Sequence, residues 1–433
     1  VWEARPRGSR SEVTIESRVA EAALDAHTLP FPLPGPDELL RRIQESGLRG
    51  RGGGWFPTAR KWQAVRAESG DATVVANGAE GEPGSIKDRF VMTRRPEAVL
   101  AGLAAAAKAV SARQAVVYLK ASFRDAAAAL RAALPAIRTG DLDVEIRLGD
   151  ESYVGGEETA ILEVLEGRRA WPRPKPPLPA AAGLHGRPTL VQNVETLARV
   201  PAALADPAAF RKAETTLVTV WGDVARPGVY EVALGTPIRA VVDTFGGGAP
   251  DGIGMVFPAG PSAPPLPAAL ADTPLEPSAL REVGSALGTA SLLIVGASRC
   301  PLSVAESLAR FFERESCGQC PPCSVGTASL SRFAAGFETG SGRVKDVSDV
   351  AEAAGFMAIH GYCAHCRTAA ASVRGLLERF GCEVDAHIRG SGCPRPHGRF
   401  RPFDADSPAR AAIEAVARGF ARTLEPGASA AAP

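Results

Sequence analysis

The chain of 433 residues is poor in several things. Aromatic residues make up 6% of it, with four tyrosines and five tryptophans, so few rings are on hand for stacking a base or filling a core. It has no apolar run approaching the ~20 residues that a membrane span needs, so a direct span is not expected. It lacks a charge excess: 49 Lys and Arg face 48 Asp and Glu, a net charge of +1. A nucleic-acid binder usually carries a strong basic excess, so that class is excluded. Lysine is scarce, seven residues against 42 arginines. No apolar segment follows the basic stretch Val1 to Arg10, so no secretory signal is expected and the reading is a cytoplasmic one, where thiols stay reduced. Eight cysteines in that setting read as metal ligands or bystanders, not disulfides.

What is present falls into blocks. Length suggests roughly two to four domains. Residues 1–35, polar and then Pro-rich, read as a flexible arm. A short helix follows from Asp37 through Glu45, stopped at Gly47. From there to about residue 212, short β-rich runs (Thr73–Ala76, Ala115–Leu119, Val144–Leu148) alternate with Ala-rich helices (Glu97–Val110, Phe123–Leu134). That alternation predicts a parallel α/β layer. Residues 213–298 change character, with strands at Thr216–Val220, Gly228–Val232 and Ser291–Val295, and read as a small β-rich domain. Residues 299–381 are helical, ending in a helix from Thr368 to Phe380. Residues 382–433 read as a weakly packed tail with one short helix.

The cysteines carry the strongest chemical signal. Cys317, Cys320 and Cys323 form C-x2-C-x2-C, and Cys363 follows much later. Three closely spaced thiolates with a distant fourth can hold the corners of an iron–sulfur cubane. The alternative is a zinc site on two C-x2-C pairs, Cys320/Cys323 and Cys363/Cys366, which would leave Cys317 unused. Cys300, Cys382 and Cys393 read as bystanders, and Cys366 has no assigned role. His360 and His365 flank Cys363; packing or surface roles are the simpler reading.

Three loops suggest a nucleotide crevice. Gly50-Arg51-Gly52-Gly53-Gly54 lets backbone N–H groups approach a phosphate closely, although a flexible turn is an equal alternative. Asn77 to Gly84, with Glu80 and Glu82, follows a predicted strand, the place where α/β folds bind ligands. Gly155-Gly156-Glu157-Glu158 follows another. Lys61, Lys87 and Lys175 lie in or beside these loops, and a compact ammonium there reads as serving phosphate or flavin oxygens.

Together these stretches resemble the NADH-binding flavoprotein subunit of respiratory complex I and its relatives in NAD-linked hydrogenases and formate dehydrogenases. The resemblance rests on GLRGRGGGWFPTARKW (47–62), NGAEGEPGSIKDR (77–89), YVGGEETAILEVLEGRRAWPRPKPPLPAAAGLHGRPTLVQNVETL (153–197) and ESCGQCPPCSVGT (315–327). VWGDVARPGVYEVALGTP (220–237) resembles the family's β-grasp (SLBB) domain. The implied fold is a Rossmann-like FMN domain, then the β-grasp domain, then a helical bundle holding a 4Fe–4S cluster on Cys317, Cys320, Cys323 and Cys363. The resemblance also implies FMN contacts at Gly50, Arg51, Gly52, Lys61, Asn77, Glu80, Gly156, Glu157, Gln192 and Asn193, and NAD(H) contacts at Phe56, Glu82 and Lys175. It implies electron transfer from NADH through FMN and the cluster to a partner: a thioredoxin-like 2Fe–2S subunit, a ferredoxin or another redox protein. Attachment to the inner face of a membrane would then come through a larger complex.

The chain departs from the family's pattern. Ala79 stands where the family has Asp, Gln192 replaces an Asn, and Ala64 and Leu178 replace rings that stack on adenine. Each stacking ring is worth roughly 1–3 kcal/mol. A second function therefore stands beside the first: an FMN and 4Fe–4S carrier that has lost NADH and is fed by another donor such as ferredoxin. A third, weaker one is a non-enzymatic scaffold. Trp55, a glycine in the family, either compensates for the missing rings or blocks the entrance. DAHIRGSGCPRP (385–396) resembles the lead into a ferredoxin-like domain in hydrogenase relatives, but no cysteine follows Cys393.

Overall fold

The computed structural model describes residues 32–137, 139–390, 393, 395 and 399–420. The expected N-terminal arm lies outside these except for residues 32–35.

The first layer is a four-stranded, all-parallel sheet. Its strands are β1 (Thr73–Gly78), β2 (Gln114–Lys120), β3 (Asp143–Gly149) and β4 (Thr189–Asn193), in the order β3-β2-β1-β4. Parallel strands need crossover connections, and Ala-rich helices supply them. Pro96–Ala109 opens on a proline at its first turn, and its small side chains let it lie close to Val194–Ala205. Gly102 marks the contact: a Cβ there would fall inside van der Waals range of the Leu197 carbonyl oxygen. The sequence pattern does not predict β4. The strand is only five residues long and follows a Pro-rich stretch, so its five buried positions give no alternation to read.

The second layer is a mixed sheet, β6-β5-β9-β7-β8, made of β5 (Thr215–Gly222), β6 (Gly228–Ala233), β7 (Ile253–Pro261), β8 (Leu266–Pro267) and β9 (Ser291–Gly296). Strand β7 also escapes the pattern, because its Gly and Pro residues disguise it. A bundle follows: Pro301–Arg314, Pro321–Thr339, Val344–His360 and Ala364–Arg379. No described helix is long and apolar enough to cross a membrane.

The expected weakly packed tail is corrected. Helices form at Gly381–Ile388 and Pro408–Arg418, and Phe400, Phe403, Ile413 and Phe420 are buried. Phe403 is completely buried between layers, in ring contact with Trp221 and Phe257 of the second sheet and with Phe311 of the bundle. The Pro, Gly and Arg content conceals a segment that wedges the three units together.

Candidate functional site

A continuous cavity opens at the carboxyl ends of β1 and β4. It has two connected lobes, about 400 and 290 Å³ in volume. Gly52, Gly54, Asn77, Gly156, Glu157 and Asn193 line both. The smaller lobe adds Gly50, Phe56, Thr58, Lys61 and Gln192. The larger adds Glu80, Glu82, Tyr153, Ser262, Thr289, Cys363 and His365. All three units contribute walls.

Local geometry fixes these groups. The Asn77 amide donates to the Gly156 carbonyl at 3.0 Å, joining two of the predicted loops. A Cβ on Gly156 would sit 2.7 Å from the Ala79 carbonyl oxygen, so only glycine allows this approach. Asn193 caps the helix Val194–Ala205 by accepting from the Glu195 and Thr196 amides, and its own amide donates to Asp88. Glu157 caps Glu158–Leu165 in the same way. Lys61 and Lys175 both pair with Glu158, and Lys175 also with Glu157, so two ammonium groups gather at one acidic corner.

Glu80 and Glu82 differ despite their spacing. Glu80 accepts from Ser85 Oγ and the Asp88 and Arg89 amides, which fixes the start of Lys87–Arg94. Glu82 accepts from Ser262 Oγ at 2.6 Å and from the Tyr153 hydroxyl at 3.1 Å. Burial pushes its carboxyl up to about 7, against the pull of those two hydrogen bonds. It is poised to change charge near neutrality.

Three expected participants are placed elsewhere. Arg51 is completely buried and turns its guanidinium to Glu214 and the Thr215 carbonyl; only its backbone stays in the glycine loop. Lys175 does not line either lobe. The reading of Lys87 as a phosphate or flavin ligand is corrected: it is 1% exposed and its ammonium lies 2.7 Å from Asp88 and 2.9 Å from Glu195. Burial alone would raise the Glu195 carboxyl, but Lys87, Arg199 and Arg51 together hold it down at about 2.

Trp55 is among the residues that line the smaller lobe. It is buried in the core of the second sheet's unit, and its Nε1–H donates to the Gly288 carbonyl at 2.8 Å. Arg51 stacks on the ring, 4.4 Å from its centroid. The tryptophan therefore fastens the glycine loop to the neighbouring unit. Phe56 and Leu178 stay exposed, at 50% and 56%.

Sequence reasoning misses Thr58, Tyr153, Ser262 and Thr289 as lining residues. Tyr153 stands at the head of a recognised motif, whereas Ser262 and Thr289 arrive from loops of the second unit with no local signal. Of the surface and packing readings of His365, burial favours packing. Its Nε2 bonds the Phe312 carbonyl at 3.0 Å, and burial lowers its pKa, which keeps it neutral.

Cys317 and Cys320 lie on the loop before Pro321–Thr339, Cys323 in the first turn of that helix, and Cys363 at the head of Ala364–Arg379. Cys320 and Cys363 are the N-cap residues of those two helices, whose N-terminal dipoles favour an anionic group. Among the described residues, the one set of three metal-type donors gathered within 4.8 Å lies elsewhere. Cys366 is fully buried and its thiol donates to the Met357 carbonyl.

The residues fit a flavin and a cubane. Thr58 Oγ1, Thr289 Oγ1 and His365 Nδ1 are buried without hydrogen-bond partners, and all three belong to the cavity lining. Buried polar groups are rarely left unpaired, so these call for a polar ligand.

Comparison with known proteins decides the family. The model of the Nuo51 FMN-binding domain matches residues 43–202, an SLBB domain matches 217–254, and the NADH-ubiquinone oxidoreductase-F iron–sulfur binding region matches 303–387. An F-type component of the NADH-quinone oxidoreductase of Rhizobium meliloti is 36% identical over 381 residues, covering 83% of this chain and 90% of that protein. The chain belongs to the family of NADH-quinone oxidoreductase F subunits. Within that family, the mitochondrial 51 kDa subunit of Neurospora crassa NADH-ubiquinone oxidoreductase is 35% identical, covering 82% of this chain and 78% of its own. The crystal structure of an NAD+-reducing [NiFe]-hydrogenase in its H2-reduced state superimposes with a TM-score of 0.74 at 32% identity, covering 94% of this chain and 69% of that one. As a member of the family the chain is an NADH dehydrogenase subunit with FMN, a 4Fe–4S cluster and NAD(H) as cofactors.

Proposed function

We propose that the cavity between the three units oxidises NADH on FMN and delivers the electrons singly to the 4Fe–4S cluster. The observation that supports this most directly is that Cys363, at the head of a bundle helix, lines the same lobe as Glu82, Asn77 and the glycine loop. Flavin and cluster would share a wall, with no separate carrier between them.

The bound flavin supplies the conversion between a two-electron donor and a one-electron carrier, which none of these side chains can perform. The chain's own residues hold and orient. Gly50, Gly52 and Gly156 bring backbone close to the flavin, Asn77, Gln192 and Asn193 offer side-chain hydrogen bonds, and Lys61 is the cation of the smaller lobe. Thr58 and Thr289 offer unused hydroxyls. Tyr153, Ser262 and Glu82 form a hydrogen-bonded triangle on the nicotinamide side. Phe56, half exposed and lining the smaller lobe, is the ring left to stack on the dinucleotide. Glu80 and Glu157 act through the helices they cap, and Arg51 through the loop it anchors.

Beyond the cluster, electrons pass to a partner redox protein, for which a thioredoxin-like 2Fe–2S subunit or a ferredoxin has the right chemistry. Such a partner would also determine any peripheral attachment to the inner face of a membrane from the cytoplasm. Anaerobic addition of NADH to protein loaded with FMN and iron tests the whole reading. Bleaching of flavin absorbance with a new cluster signal in electron paramagnetic resonance is expected. An unchanged spectrum that dithionite still bleaches would instead support the carrier that has lost NADH, the reading favoured by Ala64 and Leu178.

A further inference from the structure

Away from the cavity, the start of the bundle meets the segment that leads to Phe400. Here Cys300, His387 and Cys393 bring their ligand-type atoms within 4.8 Å of one another. Cys300 is 6% exposed and is the N-cap residue of the helix Pro301–Arg314. His387 is 8% exposed, in Gly381–Ile388, with its Nε2 3.6 Å from Cys300 Sγ. Cys393 is partly exposed.

The imidazole is oriented for ligation. Its Nδ1 lies 3.1 Å from the Phe337 carbonyl oxygen and 3.2 Å from that of Glu338. Carbonyl oxygens only accept, so Nδ1 carries the proton. The lone pair is then on Nε2, the nitrogen that faces the sulfur. A ring nitrogen tied to a carbonyl while the other points at thiols is the usual support of a metal-bound histidine. None of these donors belongs to the 4Fe–4S set.

We propose that Cys300, His387 and Cys393 bind a zinc-class divalent cation through two thiolates and the imidazole Nε2. Two thiolates balance the dication, so a nearly buried site carries no net charge. Loading exchanges the cation for two thiol protons, which leave to solvent, with no change of oxidation state. The fourth tetrahedral position falls to water on the side where Cys393 is open to solvent. The ion joins the start of the bundle, at Cys300, to the stretch from His387 to Cys393. Arg395 already ties the end of that stretch to Glu383 and to the Ala297 carbonyl. The cation thus clamps the segment that carries Phe400 and Phe403 into place.

The test is metal analysis of the full chain, purified anaerobically with FMN and iron in place. About one zinc per chain is expected beside the iron. His387→Ala and Cys393→Ser each lose it with iron and flavin contents unchanged, His387→Cys keeps it, and Cys317→Ser loses iron but keeps zinc. Cobalt(II) in place of zinc gives a sulfur-to-cobalt absorption band that disappears in Cys300→Ser. Three results would overturn the proposal: protein that takes up no zinc when it is supplied, zinc that follows Cys317 rather than His387, or a Cys300–Cys393 disulfide found by mass spectrometry in the anaerobic protein.

Discussion

Lys87 Nζ lies 2.9 Å from Glu195 Oε2, and neither side chain is more than 1% exposed. The pair joins the strand-end loop after β1 to the helix after β4, directly behind the cavity. Arg199 bonds the other Glu195 oxygen at 2.9 Å. Removing one member takes a compensating charge away from the others in the interior, although Lys87 keeps Asp88 and Arg199 keeps Glu231. Glu195→Gln is expected to cost about 3–5 kcal/mol. Lys87→Met is expected to cost a similar amount, and the double variant less than the sum, because the residues couple. Denaturant unfolding of the flavin-loaded protein measures all three.

The same carboxylate contributes to acid stability. Its folded pKa is about 2, below the ordinary value, so the unfolded chain takes up the proton first. The stability it provides is complete above about pH 4.5 and is lost as pH falls toward about 2. In Glu195→Gln, the slope of unfolding free energy against pH over that window is expected to flatten.

Glu82 works in the opposite sense. Its folded pKa is raised to about 7, so the folded state holds the proton more tightly. Between about pH 4.5 and 7 this lowers stability as pH rises, and above about pH 7 a fixed negative charge faces the cavity. Glu82→Gln keeps a hydrogen-bonding side chain and cannot titrate. Its KM for NADH is expected to lose the step that wild type shows between about pH 6 and 8. A step that persists in the variant would assign the titration to another group.

Leu178 is 56% exposed at a position where the family's pattern has a ring. Restoring it as Leu178→Phe is expected to add one stacking contact, roughly 1–3 kcal/mol. KM for NADH should fall about tenfold or more, with kcat little changed. A KM that does not move would remove Leu178 from the dinucleotide's path.

Trp55 makes a structural prediction. Its backbone φ is 51°, unusual for a bulky residue, and it is held by the bond to Gly288 and by core packing. Trp55→Ala is expected to destabilise the chain by about 3–5 kcal/mol. FMN should be released at lower denaturant than the bundle unfolds, because Gly52 and Gly54 lose their anchor. Parallel flavin fluorescence and circular dichroism would show the separation.

These residues also mark what a sequence can disclose. The proposed cluster cysteines are readable because three of them lie close together in the chain and leave a spacing. The cavity's own loops are readable for the same reason, since Gly, Asn and Glu cluster locally at strand ends. The Lys87–Glu195 pair is not. Its members are far apart in the chain, and each looks like an ordinary loop or helix charge until the fold brings them together. Lysine scarcity draws attention to the right residue but suggests the wrong partner. Trp55 stands out as a departure, yet its seat lies in a different unit. Residues 382–420 are hidden by composition: Pro, Gly and Arg dominate, while burial rests on a few apolar residues, among them Phe400, Phe403 and Ile413. His387 and Cys300 give no motif because they are far apart in the chain and only the fold brings them together.

Phe403 carries a consequence for biogenesis. Its ring neighbours Trp221, Phe257 and Phe311 are all synthesised before it. The second sheet and the bundle can therefore emerge from the ribosome and fold while the seam between them still lacks its central ring. Until Phe403 arrives, those apolar surfaces face water and offer a target for chaperones or for a neighbouring nascent chain. Flavin that entered during this interval would sit against walls still free to separate, so stable cofactor loading belongs after translation has passed this residue.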